Sequence, residues 1–482
     1  MKHLSLILER KGFVMTERFF AVCLLSCCSI GIASANEAEA LPELVERAYR
    51  FDGEYLSVIQ SLKADQSVYD QALAVLLPQI DASMTYSENN YLQKQEEQQG
   101  GSGKIVGNFY DKKDRDFRER KASLNLSQIV YDAEAFERLK QADHFVKVAV
   151  VQMGSAGQAL VGRVADAYFN TLAAYQNLVL SEQQVNISSE ALKLAWARHL
   201  AGDISEVEVM DMEARILSLK ASLDSAKTEF RANVRVLELS TGVRPEVLQS
   251  INLAGISSLQ LDTFDVEASL ERSFKANPEL VLTKLGIDTA EFGLSINQKA
   301  RFPKVNLAAN IDWMNEETMT YSSSTSDEQN YRTRDSSAAI TVSMPLYSGG
   351  AMTSRIRESE MRVGVAETDF VATKHRLESD VRYTVDTLNS LVGRIESLQK
   401  TAEYLDEVLT KQQLAFDQGV LGTQEILDAQ DRAFRAKNEL VLALYDYYSA
   451  TVQLLALEGR LAPDLIDTSG FLLGDRISLT SR

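Results

Sequence analysis

The chain is built from two copies of one sequence pattern. Three pairs of segments keep the same order in both halves: Glu46–Tyr49 with Glu271–Phe274, Leu77–Ile80 with Phe302–Val305, and Gly202 with Gly419. The spacing between partners is the same for the first two pairs and slightly shorter for the third. Differences in loop length produce such a drift, whereas chance does not hold one register through both halves. We therefore expect two structural repeats.

The repeats divide the chain into five parts. We expect a signal peptide at 1–35, a first repeat at 36–240, a connector at 241–265, a second repeat at 266–459 and a tail at 460–482. The signal peptide is indicated by basic residues before an apolar run, which ends in the small residues Ala33-Ser34-Ala35. An uncleaved anchor is the alternative, but the run falls short of the ~20 residues that span a bilayer.

All three cysteines, Cys23, Cys27 and Cys28, lie in this first segment. Leu24-Leu25-Ser26-Cys27 is similar to a weak lipoprotein processing site, which leaves open a lipid anchor on Cys27. Otherwise the mature chain has no cysteine, and this excludes disulfides and a thiol nucleophile.

The charge and hydropathy patterns exclude further classes. The formal net charge of −18 argues against a nucleic-acid partner, because nucleic acid is bound by a basic face. No run of 18 apolar residues follows residue 36, so we expect no membrane-spanning helix. A mature chain that crosses a membrane would then do so as a closed β-barrel.

Each repeat contains two segments in which apolar and polar residues alternate, as in strands with one buried face. These predicted strands lie at about 79–90, 119–131, 303–314 and 336–347. Polar loops are expected between them at 88–118 and 315–335. With about 9–12 residues, ~3.3 Å per residue and ~45° of tilt, each strand would span the ~25 Å apolar band of an outer membrane.

The alternation assigns side chains to two faces. We expect Met84, Leu124, Leu307 and Val342 to face lipid, and Ser83, Asn125, Asn306 and Thr341 to face a lumen. Five aromatic residues would form an interfacial girdle near the strand ends: Tyr86, Tyr91, Trp313, Tyr331 and Tyr347. The alternative is a soluble pair of hairpins packed on a helix.

Very long helices follow the strands. The stretches 132–202 and 349–419 contain no proline, and each would be ~105 Å long as a continuous helix. Globular helices average ~12 residues. Turns are expected near 199–205 and near 416–423, and shorter helices would return the chain at about 206–240 and 424–459.

Taken in order, these features resemble the TolC family of outer-membrane efflux and type I secretion channels. The resemblance covers nearly the whole mature chain, and its clearest pieces are Leu77–Ile80, the strand-to-helix junction Met344–Gly350 and the tip signature Phe416–Gln430. It implies a mainly α fold with a transmembrane β-barrel, in which four strands per protomer form a trimeric, twelve-stranded barrel above a long periplasmic α-helical barrel. Four strands alone cannot close a membrane barrel, whose minimum is about eight.

The resemblance also implies a function. The chain would be a passive exit duct in the cell outer membrane and not an enzyme. Its partners would be a periplasmic adaptor (membrane fusion) protein, an inner-membrane ABC or proton-driven transporter, and outer-membrane lipid. The tip turns around Gly202, Gly419 and Leu421 would contact the adaptor. A periplasmic coiled-coil scaffold without a channel is the rival that the residues leave open.

Acidic pairs follow both predicted turns: Glu208 with Asp211, and Glu425 with Asp428. The resemblance implies that Glu425 and Asp428 line the pore constriction of the trimer and that Glu208 joins the gating contacts, and we expect all four carboxylates there. A ring of carboxylates favours cations. The alternative is that these acids stabilise the first turns of their helices, with Ser205 and Glu208 forming a capping box.

The predicted tip departs from the family pattern. Phe416 and Leu421 stand where well-known members carry a tyrosine and an arginine, so the polar latch of those residues is missing. We expect closure to depend on packing or on another pair, such as Arg198 with an acid. The mature histidines, His144, His199 and His375, lie far apart without cysteine partners, so we expect neither a metal site nor a cofactor.

Overall fold

The computed structural model describes residues 41–96, 110–245, 247–251, 261, 263–321, 326–418, 420–462 and 473–478. The predicted signal peptide, Cys27 and Gly419 lie outside these residues. The first repeat contains α1 (Leu41–Phe51), α2 (Gly53–Ala74), β1 (Gln79–Glu96), β2 (Tyr110–Tyr131), α3 (Ala133–Leu200) and α4 (Glu206–Thr241). The second contains α5 (Val266–Ala276), α6 (Pro278–Lys299), β4 (Lys304–Tyr321), β5 (Ser326–Ser343), α7 (Ala351–Asp417) and α8 (Thr423–Leu457).

Each repeat opens with two consecutive helices, α1 and α2 in the first copy and α5 and α6 in the second. The break falls at Asp52 in the first copy and at Asn277 in the second, and the alignment of the two halves makes these positions equivalent. The Asp52 carboxylate accepts a hydrogen bond from the Tyr55 amide at 2.7 Å, and the Asn277 side chain accepts one from the Leu280 amide at 3.0 Å. Both are N-cap residues, which satisfy amide groups that the first turn leaves unpaired.

The long helices are present as predicted. Helix α3 has 68 residues and α7 has 67, or about 100 Å each at 1.5 Å per residue. Asp132 caps α3 through its carboxylate. Helices α4 and α8 pack back along α3 and α7 from one end, while α2 and α6 lie along them toward the sheet. The sheet and the helix turns therefore stand at opposite ends of the protomer.

The core lies where the long helices, the returning helices and α1 meet. It joins Leu44 of α1 with Leu172 of α3, Leu388 of α7 and Leu444 of α8, all of them at most 1% exposed. Helices α3 and α8 each contain an 18-residue stretch that is long and apolar enough to cross a membrane by length and composition alone. Both helices supply the core, and core helices have the same composition.

The four predicted strands form one antiparallel sheet in the order β1-β2-β4-β5. They are much longer than expected, with 18 residues in β1, β4 and β5 and 22 in β2. The predicted loops at 88–118 and 315–335 are therefore wrong, because most of their described residues belong to the ladder. The second repeat's last strand ends at Ser343, so Tyr347 lies beyond the sheet.

The register places the two predicted sets of side chains on opposite faces of the sheet. Leu124 pairs with Ala82 and with Ile311, and Val342 pairs with Val305, so the apolar set shares one face. The polar set shares the other face, where Asn125 pairs with Asn310. The aromatic assignment is partly wrong. Tyr86 and Trp313 lie on the apolar face within the strands, whereas Tyr91 and Tyr331 lie on the polar face.

Ion pairs connect the start of α3 to the second repeat. Lys304 of β4 contacts Asp132 at 3.1 Å and Glu134 at 2.8 Å, and Glu137 is bound by Lys140 and Lys299. Burial alone would raise the pKa of Glu137, but hydrogen bonds from the two lysines outweigh it and hold the pKa below its usual range. The network therefore fixes the position of α3 against the base of the sheet.

One pairing was not foreseen from the sequence. Strand β3 (Val247–Ile251), in the connector, pairs antiparallel with β6 (Leu473–Ser478), in the tail. The connector and the tail therefore meet beside the middle of the long helices, where Leu248 joins the core.

Candidate functional site

Both helix turns lie at the end of the protomer far from the sheet. The first follows α3, where Gly202 adopts a left-handed φ of 86° and donates its amide hydrogen to the carbonyl of His199 at 2.9 Å. The Asp203 amide bonds to the Arg198 carbonyl at 2.9 Å. This closes the last turn of α3 and requires glycine for its backbone conformation. Gly202 is exposed, as is Gly422 in the second turn.

The first acidic pair begins α4. Ser205 is the N-cap, and its hydroxyl accepts the Glu208 amide at 3.3 Å and donates to the Glu208 carboxylate at 3.2 Å. The capping contacts predicted as the alternative for Glu208 therefore exist. Asp211 follows one turn later on the same side of the helix, exposed to solvent.

The second acidic pair begins α8. The Glu425 carboxylate folds back so far that a Cβ on Gly422 would lie 2.5 Å from Oε2. Gly422 is the N-cap of α8, so Glu425 also lies against the start of its own helix. Asp428 accepts a hydrogen bond from Gln424 Nε2 at 3.2 Å and keeps 56% of its side chain exposed.

The fold brings both pairs together. Glu208, Asp211 and Glu425 line one small cleft between the starts of α4 and α8, with Met212 and Leu427 as its apolar wall. Asp428 does not line this cleft; it follows one turn after Glu425 on α8, 3.8 Å from Arg215. We call this group of three lining carboxylates and the neighbouring Asp428 the tip cleft.

Arg215 and Asp431 are site residues that the sequence analysis missed. Arg215 of α4 donates to the Leu427 carbonyl at 3.0 Å and lies 3.8 Å from Asp428 and 3.9 Å from Asp431. Asp431 also contacts Arg435 at 2.6 Å. The signal for Asp431 was available, because Asp428 and Asp431 repeat the acid-x-x-acid spacing. Arg215 could not be found without the packing of α4 on α8.

Arg198 makes no ion pair with a described acid of its own protomer. Its guanidinium instead donates to the Phe416 carbonyl at 2.7 Å and lies 4.4 Å from the centre of the Phe416 ring. Phe416 is 1% exposed, so the arginine covers a buried ring and an orphan carbonyl at the end of α7. This contact and those of Arg215 join the two helix turns within one protomer.

Two of the three mature histidines, His144 and His199, make structural contacts. His144 bonds to the Leu285 carbonyl at 2.9 Å and packs on Phe292, while His199 bonds to the Ile204 carbonyl at 3.0 Å. No cluster of three or more His, Cys, Asp or Glu side chains that could hold a metal occurs in the part of the chain that the structure describes.

The chain was compared with known families and proteins. Residues 56–243 and 270–460 match the family model described as outer membrane efflux protein. The chain is 24% identical to outer membrane protein TolC of Vibrio cholerae, with 92% of this chain and 95% of that protein covered. It is also 24% identical to alkaline protease secretion protein AprF of Pseudomonas aeruginosa, with 85% and 82% covered.

Solved structures share the fold. The open state of the MtrE outer membrane channel of Neisseria gonorrhoeae matches with a TM-score of 0.68 and 17% identity, covering 88% of this chain and 90% of that chain. At this level of identity, the likeness concerns the fold alone.

Proposed function

Because the chain belongs to the outer membrane efflux protein family, we propose that three copies assemble into one channel whose periplasmic end is closed by the tip cleft. The family and the fold agree with the sequence-based prediction of an outer-membrane exit duct with a long periplasmic extension. The family consists of channel and transport proteins, and a coiled-coil scaffold without a channel is not favoured.

The main support for a trimer is that the four-stranded sheet has two open edges. Strands β1 and β5 are its edges, and neither has a partner on its outer side among the described residues. Unpaired backbone groups are not tolerated in the hydrocarbon region of a membrane, so the edges must pair with other copies. Eight strands from two copies would leave an interior filled by side chains, whereas twelve from three copies leave a lumen.

The uncovered surface supports the same proposal. Helix α2 has no buried residue, and its apolar side chains Leu56, Val68 and Leu73 are exposed. Neighbouring copies would cover such faces, since large apolar patches on a protein surface mark contact sites.

We propose that Glu208, Asp211, Glu425 and Asp428 form the pore constriction. The tip cleft supports this role because its carboxylates are exposed and gathered at the end of the helices. Threefold repetition would produce a ring of negative charge that favours cations and repels anions. Arg198 and Arg215 would hold this end closed by joining the two turns.

We also propose the partners of the channel. A periplasmic adaptor would contact the predicted tip turns at Gly202, Gly419 and Leu421, and an ABC or proton-driven transporter would supply the cargo through it. Gly202 is exposed and Leu421 is half-buried, so both turns offer surface to a partner. Helix opening at this end would break the Arg198 and Arg215 contacts.

Planar bilayer recording tests the channel. Purified protein should produce current steps of uniform size, because the barrel of each trimer encloses one lumen. The control is Ile340→Pro, which places proline inside β5 and removes a ladder hydrogen bond while leaving the helices intact. We expect this variant to give no uniform steps. Absence of steps from the wild-type protein would contradict the proposed channel.

A further inference from the structure

Three arginines interrupt the apolar face of the sheet near the middle of its long strands. We call Arg120, Arg332 and Arg334 the outer arginine belt. Arg334 pairs across the ladder with Trp313, and in the next row Asn315 pairs with both Arg120 and Arg332. The belt therefore shares the face of Leu124 and Val342, which is the face toward lipid in the proposed barrel.

The height of the belt places it at a membrane boundary. Val342 lies near the helix end of β5, and Arg334 and Arg332 follow it along the strand toward the far end. At ~3.4 Å per residue and ~45° of tilt, the belt lies ~19–24 Å above Val342. The apolar band of an outer membrane is ~25 Å tall. Because the helices occupy the periplasmic side, the belt meets the outer leaflet.

Aromatic residues mark the same level. Tyr86 pairs with Arg120, and Trp313 with Arg334, whose guanidinium lies 5.8 Å from the Trp313 ring centre. Tyrosine and tryptophan are enriched at the interface between hydrocarbon and headgroups. We therefore expect lipid headgroups at the level of the two rows that contain Tyr86 and Trp313.

The belt is not neutralised by the protein. Its two rows contain no carboxylate on this face: they hold Met84, Ala122, Trp313 and Arg334, and Tyr86, Arg120, Asn315 and Arg332. In the row beyond, Arg118 pairs with Glu88 at 2.9 Å and stands beside Glu317. Arg120 and Arg332 have neither an ion pair nor a hydrogen bond to any described side chain. The positive charge of the belt is therefore available to a ligand outside the protein.

We propose that the outer arginine belt binds the phosphate groups of outer-leaflet glycolipids and fixes the height of the channel in the membrane. Guanidinium groups bind phosphate through paired, charge-assisted hydrogen bonds, and long arginine side chains extend from apolar surface to headgroups. This inference rests on the proposed function, since the face meets lipid only in a closed barrel. The ligand is a phosphorylated lipid and not free phosphate.

The test measures lipid binding to the detergent-solubilised full-length assembly by native mass spectrometry. The probes are diphosphorylated lipid A and the same lipid without phosphates. The variant is Arg120→Gln with Arg332→Gln. The matched control is Arg115→Gln with Lys121→Gln, which removes the same charge from the same sheet on the polar face, where Lys121 lies 3.6 Å from Asp312.

The wild type should prefer the phosphorylated lipid by about tenfold or more. The belt variant should lose that preference and the polar-face control should keep it. Equal binding of the two lipids by the wild type, which needs no variant, would overturn the proposal. Equal loss of the lipid preference in both variants would also overturn the proposal. Displacement of the lipid by millimolar inorganic phosphate would overturn it as well. If the wild type binds neither lipid and does not enter vesicles, the barrel itself is wrong.

Discussion

Leu124→Arg should lower the free energy of unfolding of the membrane-inserted protein by about 2–4 kcal/mol for each protomer, and Asn125→Arg by much less. Leu124 lies in the row of Ala82 and Ile311, near the middle of the apolar band. A charge there must lie in hydrocarbon, where its desolvation is costly. Asn125 occupies the next position on the strand but belongs to the polar face, where water would fill the lumen.

The two variants are matched controls for each other, because they place the same side chain at neighbouring positions of β2. The measurement is a denaturant titration of protein folded into lipid vesicles. The folded fraction at each step is read from the heat-dependent shift of the barrel on a denaturing gel. Equal losses from both variants would mean that the sheet does not separate lipid from water.

Neutralising the tip should weaken cation block strongly. In the variant Glu425→Gln with Asp428→Asn, we expect the concentration of a trivalent cation that halves the current to rise about tenfold or more, because a ring of carboxylates is what would hold the ion. Folding stability should change by only ~0.3–1 kcal/mol per residue, as exposed acids near the start of a helix contribute little. Arg215 would retain its bond to the Leu427 carbonyl and its contact with Asp431.

The control for the tip is Glu206→Gln with Glu213→Gln. These acids also lie near the start of α4 and are exposed, but neither lines the tip cleft. Single-channel recording with added cation should show unchanged block in this control. If the tip variant also keeps its block, Glu425 and Asp428 only stabilise the start of α8.

The helices were predictable because their signals are local. Three local signals predict the ends of α3 and α4 to within a few residues of their observed positions. These signals are a proline-free stretch, an Asp or Ser at the N-cap, and a glycine at the turn. The strands were predicted too short for a physical reason. Beyond the apolar band both faces meet water, so the alternation stops at Lys121 while the ladder hydrogen bonds continue to Tyr110.

Non-local contacts could not be read from the sequence. The pairing of β3 with β6 joins two segments that have the whole second repeat between them, and such short strands carry little pattern. In the tip, the sequence placed four acids correctly at two turns but could not show that three of them line one cleft. It also suggested an acid for Arg198, although the acceptor is the Phe416 carbonyl at the end of α7.

The assembly state tests the central claim most directly. Light scattering of the purified protein, with the detergent contribution subtracted, should give the mass of three protomers, and removal of detergent should cause aggregation. The open edges of β1 and β5 require this result, since they must pair before the sheet can enter a membrane. A monodisperse monomer that stays in solution without detergent would contradict the trimeric channel.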